Sequence, residues 1–439
     1  MRKLTSRFFC LLAMVLVIAL WHAGVAAGQE AARDEGRIAA AGIRKLAGKH
    51  IVIYTDLPAA AEVDELPRVF DAAVPLWREY FHLPAATAAE WKMTGCVMQE
   101  KERFVWAGLY PSDLPPFPNG YARGLMLWLY EQPSAYYRRH LLLHEGTHQF
   151  MAHFAGGNGP PWYSEGMAEL LGTHRWENSQ LTLAVMPRTK EEVPYWGRVK
   201  VVKDDRGAGR ALSLLEVMNF DGRAHLKTEA YAWSWAAAAF FDENPQTQAA
   251  FRELKGVAGR RRNFSETFRE RLGEKWPGIV EDWQLFVAEC DYGYDFARAA
   301  VVRKAGVELP SGGAKVNVAS DRGWQSTGIR LEAGVKYDLA AQGSFQVAAG
   351  AKSWRSEANG VTIRYYQGEP LGKLVAAVSD FEGEASAVTP LVKSRPIGQR
   401  GEMETERAGT LYLKINEGPS GLGDNAGSLQ VRVRKSGMP

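Results

Sequence analysis

Residues 144–148 read H-E-G-T-H, and residues 162–169 follow with W-Y-S-E-G-M-A-E. Residues four apart on a helix lie on one face, so His144 and His148 can present two imidazole nitrogens to a single ion. Glu145 then lies beside the open side of that ion. Apolar residues flank the pattern on both sides, which predicts a largely buried helix whose polar groups need partners. This stretch therefore predicts a zinc site built on one helix.

A third zinc ligand must come from elsewhere in the chain, because catalytic sites use three protein ligands and leave one position for water. A third histidine six residues after His148 belongs to a pattern that also needs glycine at position 151. The chain has Met151 and Phe154 instead, which excludes this metzincin arrangement.

A carboxylate on the following helix is the other source of a third ligand. The prolines at 160–161, followed by Ser164 as an N-cap, predict a helix that begins at Glu165. Glu165 and Glu169 lie four apart on one face of that helix. One of them can bind the metal while the other hydrogen-bonds a ligand histidine from behind.

The two motifs together resemble the gluzincin metallopeptidases, particularly the peptidase-MA-like bacterial group. The resemblance implies His144, His148 and Glu165 as zinc ligands. It also implies Glu145 as the general base and Glu169 as the acid that supports a ligand histidine. The 16 residues between His148 and Glu165 form a slightly shorter link than is usual in aminopeptidases, so Glu169 stays open as the third ligand.

The expected chemistry is the hydrolysis of a carbonyl compound. Zinc lowers the pKa of bound water towards ~7, and Glu145 can take its proton as the carbonyl carbon is attacked. The oxyanion that forms needs a donor opposite the zinc. Similar peptidases carry a Tyr-x-x-Ser helix downstream, and the matching residue here is Tyr231. His225 and Tyr163 are alternatives, and Tyr231 could instead pack among the aromatic residues of its helix.

Residues 1–27 have the features of a secretory signal peptide. Three basic residues precede an apolar run from Phe8 to Leu20, and small residues end the segment at Ala27. An uncleaved membrane anchor is the alternative, but the apolar run is short for a spanning helix. We therefore expect an exported protein, periplasmic or extracellular, with no transmembrane helix after signal removal.

The charge balance and the cysteines limit the expected partners. Removal of residues 1–27 takes away three positive charges and no negative ones, so the formal net charge of +3 becomes 0. A near-neutral chain argues against nucleic acid or an acidic membrane as a partner. Cys96 and Cys290 remain, and they could form one disulfide or stay as two buried thiols.

The segment 50–298 is expected to form a metallopeptidase-like domain of two lobes. Its first part, 50–132, predicts an α/β lobe, with residues 28–49 as an N-terminal arm. The metal helix and a helical lobe make up 133–298. Expected strands lie at 50–55, 91–98, 103–109 and 121–130, and expected helices at 63–81, 212–219, 228–241, 246–254, 265–272 and 279–290. With the resemblance, these patterns indicate an α+β fold, a gluzincin-like two-lobe zinc peptidase followed by an all-β sandwich.

Two segments near the expected site have alternative interpretations. Residues 172–205 show no strong periodicity and could form a hairpin or an active-site loop containing Trp196 and Arg198. In gluzincins a strand edge of the upper lobe pairs with the substrate backbone, and 125–130 is the nearest candidate. The alternative is that 125–130 forms an interior strand.

Residues 315–439 predict an all-β sandwich, joined through a linker at 299–314. Segments 409–417 and 424–428 resemble the galactose-binding-like sandwich of PA-IL-type bacterial lectins. That resemblance implies a Ca²⁺ site in the loop between the last two strands, through which sugar hydroxyls are held. The oxygen-rich candidates are Asn416, Glu417, Asp424 and Asn425. An Asx-type turn that holds the hairpin together is the alternative.

Two classes of function follow from these patterns. The first is an exported zinc metallopeptidase that acts on a peptide or protein, with endopeptidase action favoured because no aminopeptidase-type exopeptidase motif precedes the metal helix. The second is a catalytically idle peptidase-like protein that binds carbohydrate or cell-envelope material through the sandwich. The intact Glu145 favours the first, because an idle fold has no need of a base beside its metal.

Overall fold

The structure, a computed structural model, describes residues 33–223, 227–259, 263–350, 353–381 and 388–437 of the chain. The expected signal peptide at 1–27 lies outside these residues. The helices are α1 Glu35–Ala40, α2 Ala61–Asp64, α3 Leu66–Tyr80, α4 Lys101–Trp106, α5 Ala135–Phe154, α6 Pro161–Gly172, α7 Arg198–Gly207, α8 Leu214–Met218, α9 Thr228–Glu243, α10 Gln248–Arg252, α11 Phe264–Leu272, α12 Trp276–Glu289 and α13 Phe296–Ala299. Within the described residues, no helix has both the length and the apolarity needed to cross a membrane.

The strands divide into an N-terminal set and a C-terminal set. The first set comprises β1 Arg44–Ala47, β2 Ile51–Thr55, β3 Met93–Met98, β4 Gly120–Arg123, β5 Met126–Tyr130, β6 His174–Glu177 and β7 Gln180–Leu183. The second comprises β8 Val307–Glu308, β9 Ala314–Ala319, β10 Gln325–Leu331, β11 Lys336–Gln342, β12 Phe345–Ala348, β13 Trp354–Ser356, β14 Asn359–Tyr366, β15 Glu369–Ser379, β16 Arg395–Pro396, β17 Arg400–Glu404, β18 Gly409–Ile415 and β19 Ser428–Lys435. The fold is therefore mixed α+β, with a helical middle region and a β-rich C-terminal part.

The upper lobe is a five-stranded sheet in the order β1-β2-β3-β5-β4. Strands β2, β3 and β5 run parallel, and β4 returns antiparallel to β5 at the edge. The segment 125–130 thus contributes an interior strand, which confirms the alternative interpretation and makes β4 the edge on this side. Strand β1 pairs with β2, so part of the predicted N-terminal arm joins the sheet.

The strand predicted at 103–109 is wrong, because Lys101–Trp106 form helix α4. Two of the residues that indicated a strand, Val105 and Trp106, do not enter the core, since both are about half exposed. Only Phe104 of this helix is buried. A short helix with one apolar contact produces the same alternation as a half-buried strand.

Helix α5, the metal helix, carries His144, Glu145 and His148 and begins at Ala135. The hydroxyl of Ser134 accepts a hydrogen bond from the backbone N–H of Tyr137 and so caps the helix. Helix α5 packs closely on α3 at Gly146, where an added Cβ would lie 2.7 Å from the rings of Phe70 and Trp77. The small residue lets the metal helix approach the upper lobe.

Helix α6 begins at Pro161, four residues before the predicted start at Glu165, so the predicted N-cap role of Ser164 is wrong. Proline is well suited to the first helical position because its missing N–H would have no partner there. Helix α6 packs on α9 at Gly166, where an added Cβ would lie 2.7 Å from the backbone oxygen of Ser234. The earlier start brings Ser164 into the first turn, facing the metal helix.

The segment without periodicity, 172–205, contains the hairpin β6–β7 and then helix α7. Gly197 precedes α7 with φ 65°, a left-handed conformation that favours glycine. The side chains on either side of it, Trp196 and Arg198, are both buried. The hairpin interpretation is therefore confirmed, and Trp196 and Arg198 lie after the hairpin, at the turn that precedes α7.

The C-terminal part is a sandwich of a six-stranded sheet, β14-β15-β18-β10-β8 with β16 beside β15, and a four-stranded sheet, β17-β11-β19-β9. Its core is apolar and includes Leu331, Tyr337, Leu411 and Val431. Strand β8, inside the predicted linker, pairs in parallel with β10. This arrangement confirms the predicted all-β sandwich.

The sandwich packs against helix α12 through both apolar and charged contacts. Leu285 of α12 belongs to the same buried cluster as Trp324 and Tyr412 of the sandwich. The Lys414 ammonium donates to Glu289 at 2.8 Å, with both side chains largely buried.

The two cysteines of the described chain remain unpaired. Cys96 lies in the upper sheet and Cys290 follows α12, and both are buried free thiols. The interpretation as buried thiols is therefore confirmed, and the disulfide alternative is wrong.

Candidate metal centre

Three donor atoms from α5 and α6 form a small triangle between the lobes. Nε2 of His144 and Nε2 of His148 lie 3.2 Å apart, and each lies 3.4 Å from Oε2 of Glu165. Ligands about 2.0–2.1 Å from a tetrahedral zinc ion stand roughly 3.3–3.4 Å from one another. The triangle therefore has the dimensions that three zinc ligands need.

The chemistry of these donors also suits a cation. Oε2 of Glu165 is buried and accepts no hydrogen bond of good geometry within the described residues. Burial would raise the pKa of Glu165, but the charge of His148 and the contact with His144 hold that pKa well below its ordinary value. The carboxylate is thus kept charged with an unfilled acceptor position, which a metal ion would satisfy.

A second group of three side chains, His140, His144 and Glu169, also brings its donor atoms within 4.8 Å and could bind a metal ion such as zinc. Its carboxylate already has a cationic partner. Arg198 donates to the two oxygens of Glu169 at 2.9 and 2.8 Å, and Trp196 donates at 3.2 Å. An ion at this second group would stand close to the guanidinium charge, so the group containing His148 and Glu165 is the more favourable one.

Each histidine of the triangle has an oxygen atom close to its other ring nitrogen. Nδ1 of His144 lies 3.4 Å from Oε1 of Glu169, and Nδ1 of His148 lies 3.3 Å from the hydroxyl oxygen of Ser164. Such contacts fix the tautomer and the ring orientation of metal-binding histidines. Helix α6 therefore contributes Glu165 to the triangle, and its Ser164 and Glu169 contact the outer ring nitrogens of the two histidines.

Glu145 lies next to the triangle and against the edge strand. Its side chain is buried, and burial raises the pKa of its carboxyl above the ordinary value. A Cβ added at Gly120 of β4 would lie 2.8 Å from Oε1 of Glu145. A carboxylate with a raised pKa is a better proton acceptor, and the backbone of β4 is its immediate neighbour.

Tyr231 of helix α9 lies close to His144. Its ring centroid lies 6.0 Å from that of His144, and the guanidinium carbon of Arg198 lies 5.7 Å from its centroid. Burial raises the pKa of the Tyr231 hydroxyl, so the hydroxyl stays protonated and can donate. The alternative Tyr163 is buried with Phe251 and Phe264 rather than lining the cavity, and His225 lies outside the described residues.

A cavity of about 160 Å³ opens beside the triangle. Asn119 and Gly120 line it from the upper lobe, and Tyr137 and Glu145 line it from the metal helix. Polar groups therefore converge from both lobes on one small space, which is the arrangement expected of a binding cleft.

Three residues of this region had weak or incomplete sequence signals. His140 precedes His144 by one helical turn, so the spacing of four that relates His144 to His148 also extends backwards to His140. Trp196 and Arg198 were part of the active-site-loop interpretation, but nothing in the sequence pairs them with Glu169. Their contact spans 27 and 29 residues along the chain.

The loop predicted to bind calcium has mixed roles. The Asn416 amide donates to the carbonyls of Tyr366, Glu369 and Pro370 and so closes the β14–β15 turn. The Asn425 amide donates to Glu417 at 2.7 Å, while its own oxygen is buried without a partner in the described chain.

The remaining acidic groups of this loop differ in their surroundings. Burial raises the pKa of Glu417 to about 7. Asp424 accepts a hydrogen bond from the backbone N–H of Ala349 at 2.9 Å. The hydrogen bond from the Asn425 amide offsets this effect of burial only in part, so the charged form of Glu417 remains disfavoured.

No protein-family model matches this chain, and no curated protein matches it. Among solved structures it is similar to the EclA N-terminal domain, described as a PllA-like lectin, at 21% identity over 28% of this chain and 95% of that one, with a TM-score of 0.22. It is also similar to IMPa from Pseudomonas aeruginosa in complex with an O-glycopeptide, at 13% identity over 60% of this chain and 26% of that one, with a TM-score of 0.16.

IMPa metallopeptidase in complex with T-antigen is a further match, at 11% identity over 89% of this chain and 42% of that one, with a TM-score of 0.17. This chain covers less than half the length of these IMPa chains. Because the TM-scores are this low, the interpretation of the site rests on its own geometry.

Proposed function

We propose that this protein is an exported zinc-dependent peptidase that hydrolyses peptide bonds. The observation that carries the proposal is the triangle of His144, His148 and Glu165, whose edges of 3.2 to 3.4 Å match a tetrahedral zinc site, with Glu145 beside it. Export is proposed from the composition of residues 1–27 alone.

The residues around the triangle have distinct tasks in this proposal. Zinc, when bound, lowers the pKa of a water molecule towards ~7. Glu145, beside the triangle, would accept a proton from the attacking water and would later give it to the leaving amine. The Tyr231 hydroxyl donates a hydrogen bond to the carbonyl oxygen as negative charge develops there.

The edge strand β4 supports a peptide as the substrate. Its outer side pairs with no strand of the described chain, so an extended peptide can add to the sheet there. A Cβ added at Gly120 of β4 would meet the carboxylate of Glu145, so a peptide paired with this strand would run past the base. A strand that binds backbone rather than a chain end favours endopeptidase action.

A mixed peptide library tests this proposal directly. We expect about one zinc per purified chain for both the wild type and Glu145→Gln, and cleavage by the wild type only. Zinc without cleavage would favour the idle binding protein over the peptidase. A chain that binds no zinc would refute the proposed site.

We propose for the sandwich a separate role, calcium-dependent binding of carbohydrate or cell-envelope material. It is supported by the buried Glu417 and by the partnerless amide oxygen of Asn425, which a hard cation such as Ca²⁺ would satisfy. Isothermal titration with calcium, followed by a glycan array with and without calcium, tests this role. Binding of calcium that Glu417→Ala abolishes would support it, and no calcium binding would exclude it.

A further inference from the structure

The carboxylate of Glu169 is held by a short segment far from it in sequence. Nε and Nη2 of Arg198 donate to its two oxygens at 2.9 and 2.8 Å, and the indole N–H of Trp196 donates at 3.2 Å. Both donors are buried, and the left-handed Gly197 between them starts helix α7. Three N–H donors therefore hold the carboxylate, independently of its contacts with histidines.

The same carboxylate contacts two histidines of the metal helix. Its Oε1 lies 3.4 Å from Nδ1 of His144, and its Oε2 lies 3.3 Å from Nε2 of His140. A carboxylate that swung freely could not hold the His144 ring in one orientation. The bidentate contact with Arg198 fixes the plane of the carboxylate, because a planar guanidinium matches two oxygens at once.

Arg198 also touches the other side of the cavity. Its guanidinium carbon lies 5.7 Å from the ring centroid of Tyr231, and both side chains line the cavity. One buried cation therefore contacts the support of a ligand histidine and the ring of the proposed oxyanion donor.

We propose that Arg198 is a positioning residue of the metal centre: by clamping Glu169 it holds His144 in the orientation that binds zinc. This inference rests on the proposed zinc site. It differs from a general stabilising role, because the clamp acts on metal affinity through the His144 ring. Loss of a contact behind a ligand histidine typically weakens metal affinity by about 10- to 100-fold.

Arg252 provides a matched control in the same lobe. It donates to the two oxygens of buried Asp242 at 2.8 and 3.1 Å, and its guanidinium carbon lies 5.2 Å from the ring centroid of Tyr80. It therefore repeats the chemistry of Arg198, including the aromatic contact, away from the histidines. Substitution of either arginine removes an ion pair to a buried carboxylate, and the Arg252 side chain is the more exposed of the two, at 32% against 9%.

The test measures the zinc dissociation constant of the full chain by chelator competition, together with thermal unfolding of the metal-free protein. We expect Arg198→Gln to weaken zinc binding by about 10- to 100-fold and Arg252→Gln by less than about threefold. The double variant Arg198→Gln with Glu169→Gln removes the uncompensated buried charge. It should regain thermal stability but keep the weakened zinc affinity.

Several outcomes would overturn the inference. Zinc binding by Arg198→Gln within about threefold of the wild type would show that Glu169 needs no clamp, and equal weakening by Arg252→Gln would show a merely structural effect. If Arg198→Gln does not fold, Arg198→Lys keeps the charge without the bidentate contact, and unchanged zinc affinity in that variant would overturn the inference. A wild type that binds no zinc would refute the proposed function along with it.

Discussion

Gly120→Ala should lower the catalytic rate of this protein with little effect on its thermal stability. The added Cβ would lie 2.8 Å from Oε1 of Glu145 and 3.1 Å from side-chain carbons of Leu129 and Leu141. Ordinary contacts begin near 3.4 Å, so the carboxylate must retreat by about 0.6 Å (3.4 minus 2.8). It can do so, because it is the free end of a flexible side chain.

This shift of the carboxylate should slow the reaction. A general base works only within hydrogen-bond reach of its proton, and displacements approaching 1 Å can cost about 10²-fold in rate. We expect kcat for a cleaved library peptide to fall by roughly 10- to 100-fold. Zinc content should be unchanged, since the three donor atoms of the triangle are not touched.

Steady-state kinetics and thermal unfolding measure the two effects. Gly207→Ala is the control, because it adds the same methyl group to open space. A Gly120→Ala protein with wild-type kcat would refute the position assigned to Glu145. Loss of zinc, or a fall in Tm much larger than a few degrees, would mean that the strand rather than the carboxylate had moved.

Further predictions follow from single contacts. Glu165→Ala should lower zinc affinity by more than about 100-fold, measured by chelator competition, because a ligand is lost rather than a support. Tyr231→Phe should lower kcat by about 10²–10³-fold with little change in KM. Gly166→Val should lower the free energy of unfolding by roughly 1–3 kcal/mol in urea titrations, since its Cβ would meet backbone 2.7 Å away. Because burial raises the pKa of Glu417 from 4.5 to about 7, the stability that this residue contributes to the folded sandwich should be greatest below pH ~4.5 and fall as the pH rises towards 7. Thermal unfolding across this range should show the trend, Glu417→Gln should remove it, and calcium should oppose it.

The parts of the site that lie close together in sequence could be predicted from it. The spacing of four puts His144 and His148 on one helix face without any tertiary information. The start of helix α6 was predicted too late, because Ser164 was interpreted as an N-cap when Pro161 already opens the helix. An N-cap pattern does not indicate which residue of another helix a serine contacts. Ser164 lies against His148 of α5.

Contacts between distant segments could not be predicted in the same way. Strand β4 is the edge strand because it folds back antiparallel on β5. The two residues that join the strands give little indication of this pairing in the sequence. The pairing of Arg198 with Glu169 depends on the packing of α7 beside α9. Both features arise from tertiary packing, for which a single sequence has no periodic signal.

A crystal structure of the purified protein, with anomalous data collected on both sides of the zinc absorption edge, would identify the metal and its ligands. We expect one zinc ion bound by Nε2 of His144, Nε2 of His148 and a carboxylate oxygen of Glu165, with Glu169 next to Nδ1 of His144 and not on the metal. An ion bound by His140, His144 and Glu169, or no ion between α5 and α6, would contradict this expectation.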